Sequence, residues 1–495
     1  MVFEEVFLDK NALQKYQMFQ SLVVTERQQL TINDLATDLN LNYQQAYATY
    51  KELVNDMEQI TATTIKTGKW IEPAQFPITV DEYRLFLLRN AIAFQFIDYI
   101  VQADQPSLAK FCSEHFTSQS TLTRKMVPVK KLLQHYRLNF SYTTLEFEGD
   151  EKGIRLFLNL FYWISFHGIE WPFKHVRLDS IQETFAHSAL PDLHPDPIVQ
   201  IQDLNLIAIC RLRILQNHII SDMSRYTDIV GPDHRIDLYH SRIYDALPHQ
   251  QRVAESQFFS FVVNRSLRYH ENWGSLQQEF LQQDQFHEAW IWQFVQQLID
   301  NLSSYCKPRQ ANSLRHDRQL FGNLLRVVIS FTVMEGDYAK MIDFYYPSRL
   351  AYEQSNLFAL VKKVLAQLQT QAEFASTRHF GDTFLHEVYY LILPYLKSFR
   401  INQVVYVKTI LESADLVTRE LYTFLEDMNT VELLGSDDPL ESADLVITSL
   451  STTDPYLKKL DLEGIKVVNW NIDALDSDYM NLYMVIKEIY LDKIL

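Results

Sequence analysis

The sequence predicts a mainly α-helical, multidomain protein that ends in a smaller α/β domain with a parallel sheet. Glycine is scarce, with 11 in 495 residues, and proline numbers 15, whereas loop-rich all-β proteins use more of both. Apolar residues recur at helical spacing through most of the chain. The final segment instead carries short continuous apolar runs, which are typical of buried parallel strands.

The first helices predict a winged helix-turn-helix unit. Residues 31–40 begin with Thr31 as a helix cap and carry apolar residues at helical spacing. A short turn leads to a second helix at 43–59, and two short helices joined in this way form a helix-turn-helix. The β-branched segment 61–71 is typical of a wing.

The same pattern repeats before residue 150 and predicts a second winged helix-turn-helix. An apolar helix is followed by a short helix capped by Ser107, a turn, a longer helix kinked at Pro128, and strand-like alternation. These elements are predicted at 81–101, 107–115, 119–136 and 137–149.

From about residue 150 to 398 the pattern is helical and predicts two helical bundles. A weak internal repeat, offset by 119 residues, relates Leu206–Asp222 to Leu325–Met341 and places Asp337 opposite His218. Polar turns are predicted at 188–198 and 306–315.

The last residues predict alternating strands and helices, and hence a parallel sheet. The predicted strands are 402–408, 430–435, 443–450 and 465–472, and the predicted helices are 412–427, 454–460 and 478–493.

The net charge of −17 does not exclude nucleic acid as a partner, because the acidity is local. Residues 1–145 carry 14 basic and 15 acidic residues, whereas residues 401–495 carry 7 and 18. A local footprint matters more for DNA than the charge of the whole chain.

The cellular compartment is predicted from what the sequence lacks. The three cysteines lie far apart and form neither a disulfide framework nor a CxxC site. The acidic start lacks the basic region of a signal peptide, and no apolar run approaches the ~18 residues of a membrane span. We expect a cytoplasmic protein with no membrane partner.

The strongest chemical pattern lies between Glu114 and Glu146, where no acidic residue occurs. A helix whose first turn holds small hydrogen-bonding side chains, followed by cations, suits the major groove of DNA. The alternative is a solvated basic face. The predicted DNA contacts are Ser118, Gln119, Ser120, Thr121, Thr123, Arg124, Lys125, Lys130, Lys131 and Arg137.

The first unit gives a weaker pattern, so packing without DNA contact is an open alternative. Acidic residues accompany its cations, at Asp34, Asp38, Glu52, Asp56 and Glu58. We expect a supporting role in DNA contact for Gln44, Gln45, Lys51, Lys66 and Lys69.

The run EGDEKGIRLFLNLFYW, Glu148–Trp163, and STLTRKM at 120–126 resemble the second helix-turn-helix region of Mga-type transcription regulators. The order of parts is similar too, since such regulators follow two winged units with two phosphotransferase-regulation domains (PRDs) and a domain similar to the IIB component of sugar phosphotransferase systems. The resemblance implies domains at 1–75, 76–150, 151–300, 301–398 and 399–495.

The resemblance also implies a function: a global, virulence-linked or carbohydrate-linked activator of Gram-positive type, binding promoter DNA as a homodimer. The phosphocarrier protein of the sugar phosphotransferase system would tune it by phosphorylating histidine. His218 resembles the modified position of the first PRD, and the further candidates are His270, His316, His379 and His386.

The C-terminal domain departs from an active IIB domain. Such a domain carries its phosphocysteine just after the first strand, but no cysteine follows Cys306 here. We therefore expect an assembly or sensing module.

Other functions compete with this one. A PRD-containing RNA antiterminator begins with a small β-rich domain, which this helical N-terminus does not resemble. A scaffold with vestigial helix-turn-helix units stays open. No GxxxxGKS/T, GxGxxG, GxSxG or HExxH motif occurs, so no enzymatic activity, cofactor or metal is predicted.

Overall fold

The computed structural model divides into two compact units, and its described residues are mainly helical with a small parallel sheet, as predicted. The first unit comprises Met1–Thr227, Pro232–Phe261 and Asp337–Tyr346, and the second comprises Asp228–Gly231, Val262–Gly336 and Pro347–Leu495. The structure describes all residues except 1, 26, 28, 67, 189–195, 232–246, 266–288, 345–354, 400–403, 413–414, 452–453, 461, 463, 472 and 495.

Four helices open the chain, and the last two form the first helix-turn-helix. Thr31 caps the third helix through a capping box with Asp34, in which the Thr31 hydroxyl accepts from the Asp34 N–H at 3.3 Å. Asn42 and Gln45 form the same box at the fourth helix. The four helices are α1 (Phe3–Phe7), α2 (Lys10–Val24), α3 (Ile32–Asp38) and α4 (Tyr43–Thr61).

The first wing differs from the prediction. The described residues of 61–71 contain no strand, and Ile71 forms an isolated antiparallel bridge with Leu30. The two residues exchange N–H to carbonyl hydrogen bonds of 2.9 and 2.8 Å. A single bridge tethers the end of this segment to the residue before Thr31.

The second helix-turn-helix has the predicted order with one correction. A single helix over 81–101 is wrong, because the chain breaks at Asn90, whose side chain donates to the Phe86 carbonyl at 2.9 Å. The kink at Pro128 is confirmed as a break at Met126. The elements are α5 (Val80–Arg89), α6 (Ile92–Gln102), α7 (Leu108–Glu114), α8 (Gln119–Lys125), α9 (Val127–His135), β1 (Asn139–Phe140) and β2 (Phe147–Glu148).

Helix α10 (Glu151–Phe166) is almost entirely buried, α5 and the helix Pro197–Leu215 pack along it, and rings of α1 and α6 contact its Phe161. The Phe161 ring lies 5.4 Å from Phe7 and 4.8 Å from Phe94, between centroids. Asp150 caps the helix, accepting from the Lys152 N–H at 3.1 Å.

Gly149 fits where a larger residue would not. Its φ is +134°, and a Cβ there would lie 2.7 Å from Leu138 Cδ2 and 3.1 Å from the Arg137 carbonyl oxygen. The glycine therefore lets the wing turn closely into α10.

The rest of the helical middle contains one helix where a turn was predicted. Residues 306–315 are wrong as a turn, because Pro308 stands at the start of a helix, where its missing N–H costs nothing. The helices are α11 (Leu178–Ala186), α12 (Pro197–Leu215), α13 (Ser224–Val230), α14 (His249–Asn264), α15 (Ala289–Ser303), α16 (Pro308–His316), α17 (Arg318–Val333), α18 (Asn356–Gln369) and α19 (Gly381–Ile392). Short 3₁₀ helices occupy Pro73–Gln75, Met341–Phe344, Ala372–His379 and Leu393–Ser398.

The two helices related by the sequence repeat, α12 and α17, end in the same way. Each closes with a residue of positive φ, Asn217 at +63° and Glu335 at +57°. The next N–H donates to a carbonyl five residues back, from His218 and from Gly336. When the two helix ends are aligned, the offset is one residue shorter than the 119-residue sequence repeat. In that alignment the residue that corresponds to His218 is Gly336, not Asp337.

The C-terminal part forms a parallel four-stranded sheet, which confirms the predicted alternation, and its strands lie in the order Val431–Leu433, Val405–Ile410, Leu445–Thr448 and Lys466–Asn469. The predicted short helix at 454–460 is a 3₁₀ turn, Leu457–Lys459, and another occupies Leu440–Ser442. The elements are β3 (Val405–Ile410), α20 (Asp415–Asp427), β4 (Val431–Leu433), β5 (Leu445–Thr448), β6 (Lys466–Asn469) and α21 (Asp476–Ile494). Within the described residues, no helix combines the length and the apolar character that crossing a membrane requires.

Candidate nucleic-acid interface

The turn of the second helix-turn-helix is a Schellman motif that ends α7. The Thr117 N–H donates to the Cys112 carbonyl at 3.0 Å, and the Phe116 N–H donates to the Ser113 carbonyl at 3.4 Å. Phe116 takes the left-handed position, with φ of +48°. The motif turns the chain into α8, which begins two residues after Thr117.

The start of α8 presents the small polar residues that the sequence singled out. Ser118 is the cap, and its hydroxyl accepts from the Thr121 N–H at 3.1 Å. Leu122 is buried beneath the helix, so the polar side chains stand on the outer side. Ser118, Gln119, Ser120 and Thr123 are exposed, and Thr121 is half-buried.

The predicted cations fall into two groups. Arg124 and Lys131 are exposed. Lys125 is half-buried and forms an ion pair with Asp9, with 2.9 Å between Nζ and Oδ2. Lys130 lies over the rings of Phe140 and Tyr142, 4.9 and 4.5 Å from their centroids, and so holds the wing against α9.

Asp9 is suited to hold Lys125. Partial burial opposes its ionisation, but the Ala12 N–H and the Lys125 ammonium outweigh that effect and lower the pKa of Asp9 overall. The carboxylate is therefore ionised at neutral pH, and it competes with any phosphate for Lys125.

The wing of the second helix-turn-helix is an antiparallel hairpin. Asn139 pairs with Glu148 and Phe140 pairs with Phe147 in antiparallel register. Arg137 precedes it, is exposed, and donates to the Asp337 carbonyl at 3.5 Å. The structure thus engages one predicted DNA contact with a distant segment of the chain.

That segment makes further contacts that sequence reasoning missed. The His135 ring lies 2.9 Å from Asp337 Oδ2, and the Tyr136 hydroxyl donates to Asp343 at 2.7 Å. The hydrogen bond that the His135 ring donates to Asp337 is the main cause that raises the pKa of His135. No local pattern in the sequence signals a pairing between residues so far apart.

The exposed face of α4 carries a ladder of rings and one cation. Tyr43 and Tyr47 stack with 6.2 Å between centroids, and Lys51 lies 4.8 Å above the Tyr47 ring. These residues stand four positions apart, which is the spacing that would have predicted the ladder. Gln44, Gln45, Lys66 and Lys69 are exposed as well, and Lys69 lies 5.4 Å from the Trp70 ring.

Most acidic residues of the first helix-turn-helix bond to other groups within the fold. Asp56 is buried and pairs with Lys15 at 2.5 Å, and the Tyr83 hydroxyl donates to it at 2.9 Å. Glu58 accepts from the Ile65 N–H at 2.8 Å. Asp34 belongs to the capping box described above, and Glu52 accepts from Asn11 at 2.7 Å.

His218 lies beside a buried network of charges. Arg155, fully buried, binds Glu255 in a two-pronged pair, with 2.8 Å for the Nη2 bond, and Nη2 also donates to the His218 carbonyl at 2.9 Å. Arg213 binds Glu151 at 2.7 Å. The His218 side chain is half-buried, and burial, followed by the Arg213 charge, lowers the pKa of His218.

The remaining candidate histidines show different surroundings. His316 and His379 are exposed, and the His316 Nδ1 lies 2.8 Å from the Asn312 carbonyl. His386 is half-buried, with Nδ1 2.7 Å from the Asp382 carbonyl and its ring 5.3 Å from Phe358. His270 lies outside the described residues.

The chain has two helix-turn-helix units, one winged and one bridged, and one of them presents a polar and basic face without acidic residues. These features define a protein of the helix-turn-helix DNA-binding class. Residues 78–162 match the family model of the Mga helix-turn-helix domain. This match spans the second helix-turn-helix and most of α10, and it confirms the resemblance to Mga-type regulators. It supports a DNA-binding transcription regulator. None of the curated proteins matches the chain.

Proposed function

We propose that this chain is a transcription activator that reads promoter DNA chiefly through its second helix-turn-helix. One observation carries the proposal: the start of α8 presents exposed polar side chains next to an exposed Arg124, in a segment without acidic residues. Side chains of this kind hydrogen-bond to base edges and phosphates, and the Mga domain match covers the same residues.

The first helix-turn-helix acts as an auxiliary contact in this proposal. Among its acidic residues, Asp56 is neutralised by Lys15, and the exposed face of α4 offers Tyr43, Tyr47 and Lys51. Stacked rings beside a cation suit the sugar–phosphate edge of a groove. Gln44 and Gln45 are the residues there that can hydrogen-bond to bases.

The test is a salt-titrated binding assay of the full chain with a randomised duplex DNA pool and with structured RNA. Binding to duplex that weakens steeply with salt is expected, because released counterions drive phosphate contacts. Binding to RNA alone would replace this proposal with an antiterminator. Binding to neither would leave a scaffold as the better account.

Regulation in this proposal runs through phosphorylation of His218 by the phosphocarrier protein. The lowered pKa leaves the His218 ring neutral at pH 7, which is the form that can attack a phosphoryl group, and the carrier is the leaving group. A dianionic phosphate there would face Arg213 and Arg155, and would compete with Glu151 and Glu255 for them.

Labelling with phosphorylated carrier protein tests this step. His218→Ala should lose the main label, and His187→Ala, at an exposed histidine that is not among the candidates, serves as the matched control. Equal labelling of both variants and of the wild-type chain would remove His218 from the mechanism.

We further propose that the chain works as a homodimer, with domains at the boundaries that the resemblance implies. Helix α21 buries Leu482, Ile486 and Tyr490 on one side and leaves Met480, Tyr483 and Met484 exposed on another. An exposed apolar strip of this kind is typical of an interface. Light scattering on the full chain and on a Met480→Glu, Met484→Glu variant tests it, and an unchanged mass would contradict assembly through this helix.

A further inference from the structure

Phe116 occupies the tip of the turn in the second helix-turn-helix and is almost wholly exposed. Its exposed fraction is 98%, higher than that of any other large hydrophobic residue among those the structure describes. A phenylalanine in this position gains nothing from burial within the chain. Its exposure leaves the whole ring available for contact with a partner molecule.

The backbone at Phe116 adds a second cost. A left-handed φ disfavours every residue that has a Cβ, and bulky residues most, whereas asparagine and glycine tolerate it. The first helix-turn-helix contains the same Schellman turn, with Leu41 donating to Ala36 and Asn40 donating to Thr37. There the left-handed position holds Asn40, with φ of +51°.

The two turns therefore make a controlled comparison within one chain. One uses the residue that the geometry favours, and the other uses an exposed aromatic ring that the geometry and the solvent both disfavour. Arg137 and Glu335 hold the same left-handed position in other turns of this chain, so the feature that sets Phe116 apart is an aromatic ring that is almost wholly exposed.

The surroundings of Phe116 point to DNA as what the ring touches. It stands two residues before the Ser118 cap, at the end of α8 that enters a major groove in helix-turn-helix complexes. Exposed Gln119 and Ser120 share that end, and no acidic residue follows until Glu146. In a major groove, the apolar feature of the bases is the thymine methyl group.

We propose that Phe116 is a specificity-determining residue that packs on a thymine methyl group at the edge of the groove read by α8. This inference rests on the proposed DNA-binding function. The ring leaves water only when DNA is bound, and the cost of the strained turn is then offset by a contact that favours thymine over other bases.

The experiment compares full-length wild-type chain with Phe116→Asn, which installs the residue found at position 40. The probes are a duplex selected by the wild-type chain from a randomised pool, and the same duplex with uracil in place of thymine. Val24→Asn removes another exposed apolar side chain, at the end of α2, and is the matched control. Thermal unfolding is measured for all three proteins.

Phe116→Asn should unfold at the same or a higher temperature, because asparagine relieves the turn. It should bind the thymine duplex about tenfold more weakly, which corresponds to partial loss of one buried aromatic contact. On the uracil duplex, Phe116→Asn and the wild-type chain should have nearly equal affinity. The substitution would then matter only when the thymine methyl group is present, so the two effects are coupled. Val24→Asn should bind both duplexes as the wild-type chain does.

Three results would overturn the inference while leaving the proposed function intact. Equal affinity of wild type and Phe116→Asn for the thymine duplex would exclude contact with DNA. Equal weakening on both duplexes would exclude the methyl group as the target. Unchanged DNA affinity with lost activation of transcription would assign the ring to a protein partner. Failure of the wild-type chain to bind any duplex would instead overturn the proposed function, and this inference with it.

Discussion

Arg124→Ala should flatten the salt dependence of DNA binding more than removal of its neighbour Lys125. Each phosphate contact contributes about 0.9 to the slope of log affinity against log salt concentration on duplex DNA. Arg124 and Lys131 are exposed, so each substitution should remove up to about 0.9, and the double variant about 1.8.

The other two cations should behave differently, because the structure already uses them. Lys125 is paired with Asp9, and binding to DNA must first break that pair. Lys125→Ala should therefore change the slope by less than about half of the Arg124 effect. Lys130 lies over two aromatic rings of the wing, so Lys130→Ala should weaken the fold with little change of slope.

Asp9→Asn provides the sharpest control in this series. Asparagine keeps the cap on α2, where Asp9 accepts from the Ala12 N–H at 3.1 Å, but it releases Lys125. The slope should become steeper than in the wild-type chain. The assay is fluorescence anisotropy with a labelled duplex across a salt series, and equal slopes for wild type, Arg124→Ala and Asp9→Asn would refute this assignment of the interface.

The remaining predictions concern stability. Glu255→Ala leaves a buried guanidinium without its main partner and should lower the free energy of unfolding by about 3–5 kcal/mol in urea denaturation; a loss below about 1 kcal/mol would show that water or another acid replaces it. Gly149→Ala should cost about 1–3 kcal/mol, because of the positive φ and the clash, whereas Gly68→Ala, whose Cβ would lie 4.0 Å from the Trp70 carbonyl oxygen, should cost little. The raised pKa of His135 means that its pairing with Asp337 stabilises the fold fully below the unfolded value of about 6.5 and fades as pH rises through the folded value. Thermal unfolding across pH should show this loss, and Asp337→Asn should remove it.

Local signals predicted much of the fold. The caps at Thr31 and Ser107 are hydroxyl side chains that bond to nearby backbone N–H groups, so the sequence alone reveals where these two helices begin. Continuous apolar runs likewise revealed the parallel strands, because strands covered on both faces need no polar side.

The wrong or missing predictions also have physical causes. Asn90 breaks an apolar helix through a side-chain bond to Phe86, which periodicity does not detect. The polar stretch after Lys307 looked like a turn, although Pro308 is favoured at a helix start. The pairing of Lys125 with Asp9 joins residues far apart in the chain, and only the tertiary fold brings them together.

The segment Asp337–Tyr346 belongs to the first compact unit, although the chain before and after it belongs to the second. During synthesis, the first unit therefore stays unfinished until residue 346 has left the ribosome. The segment Val262–Gly336 of the second unit must be translated before the first unit can be completed. A chain truncated before that point lacks the partners of His135 and Tyr136, so we expect its first unit to be less stable than in the full chain.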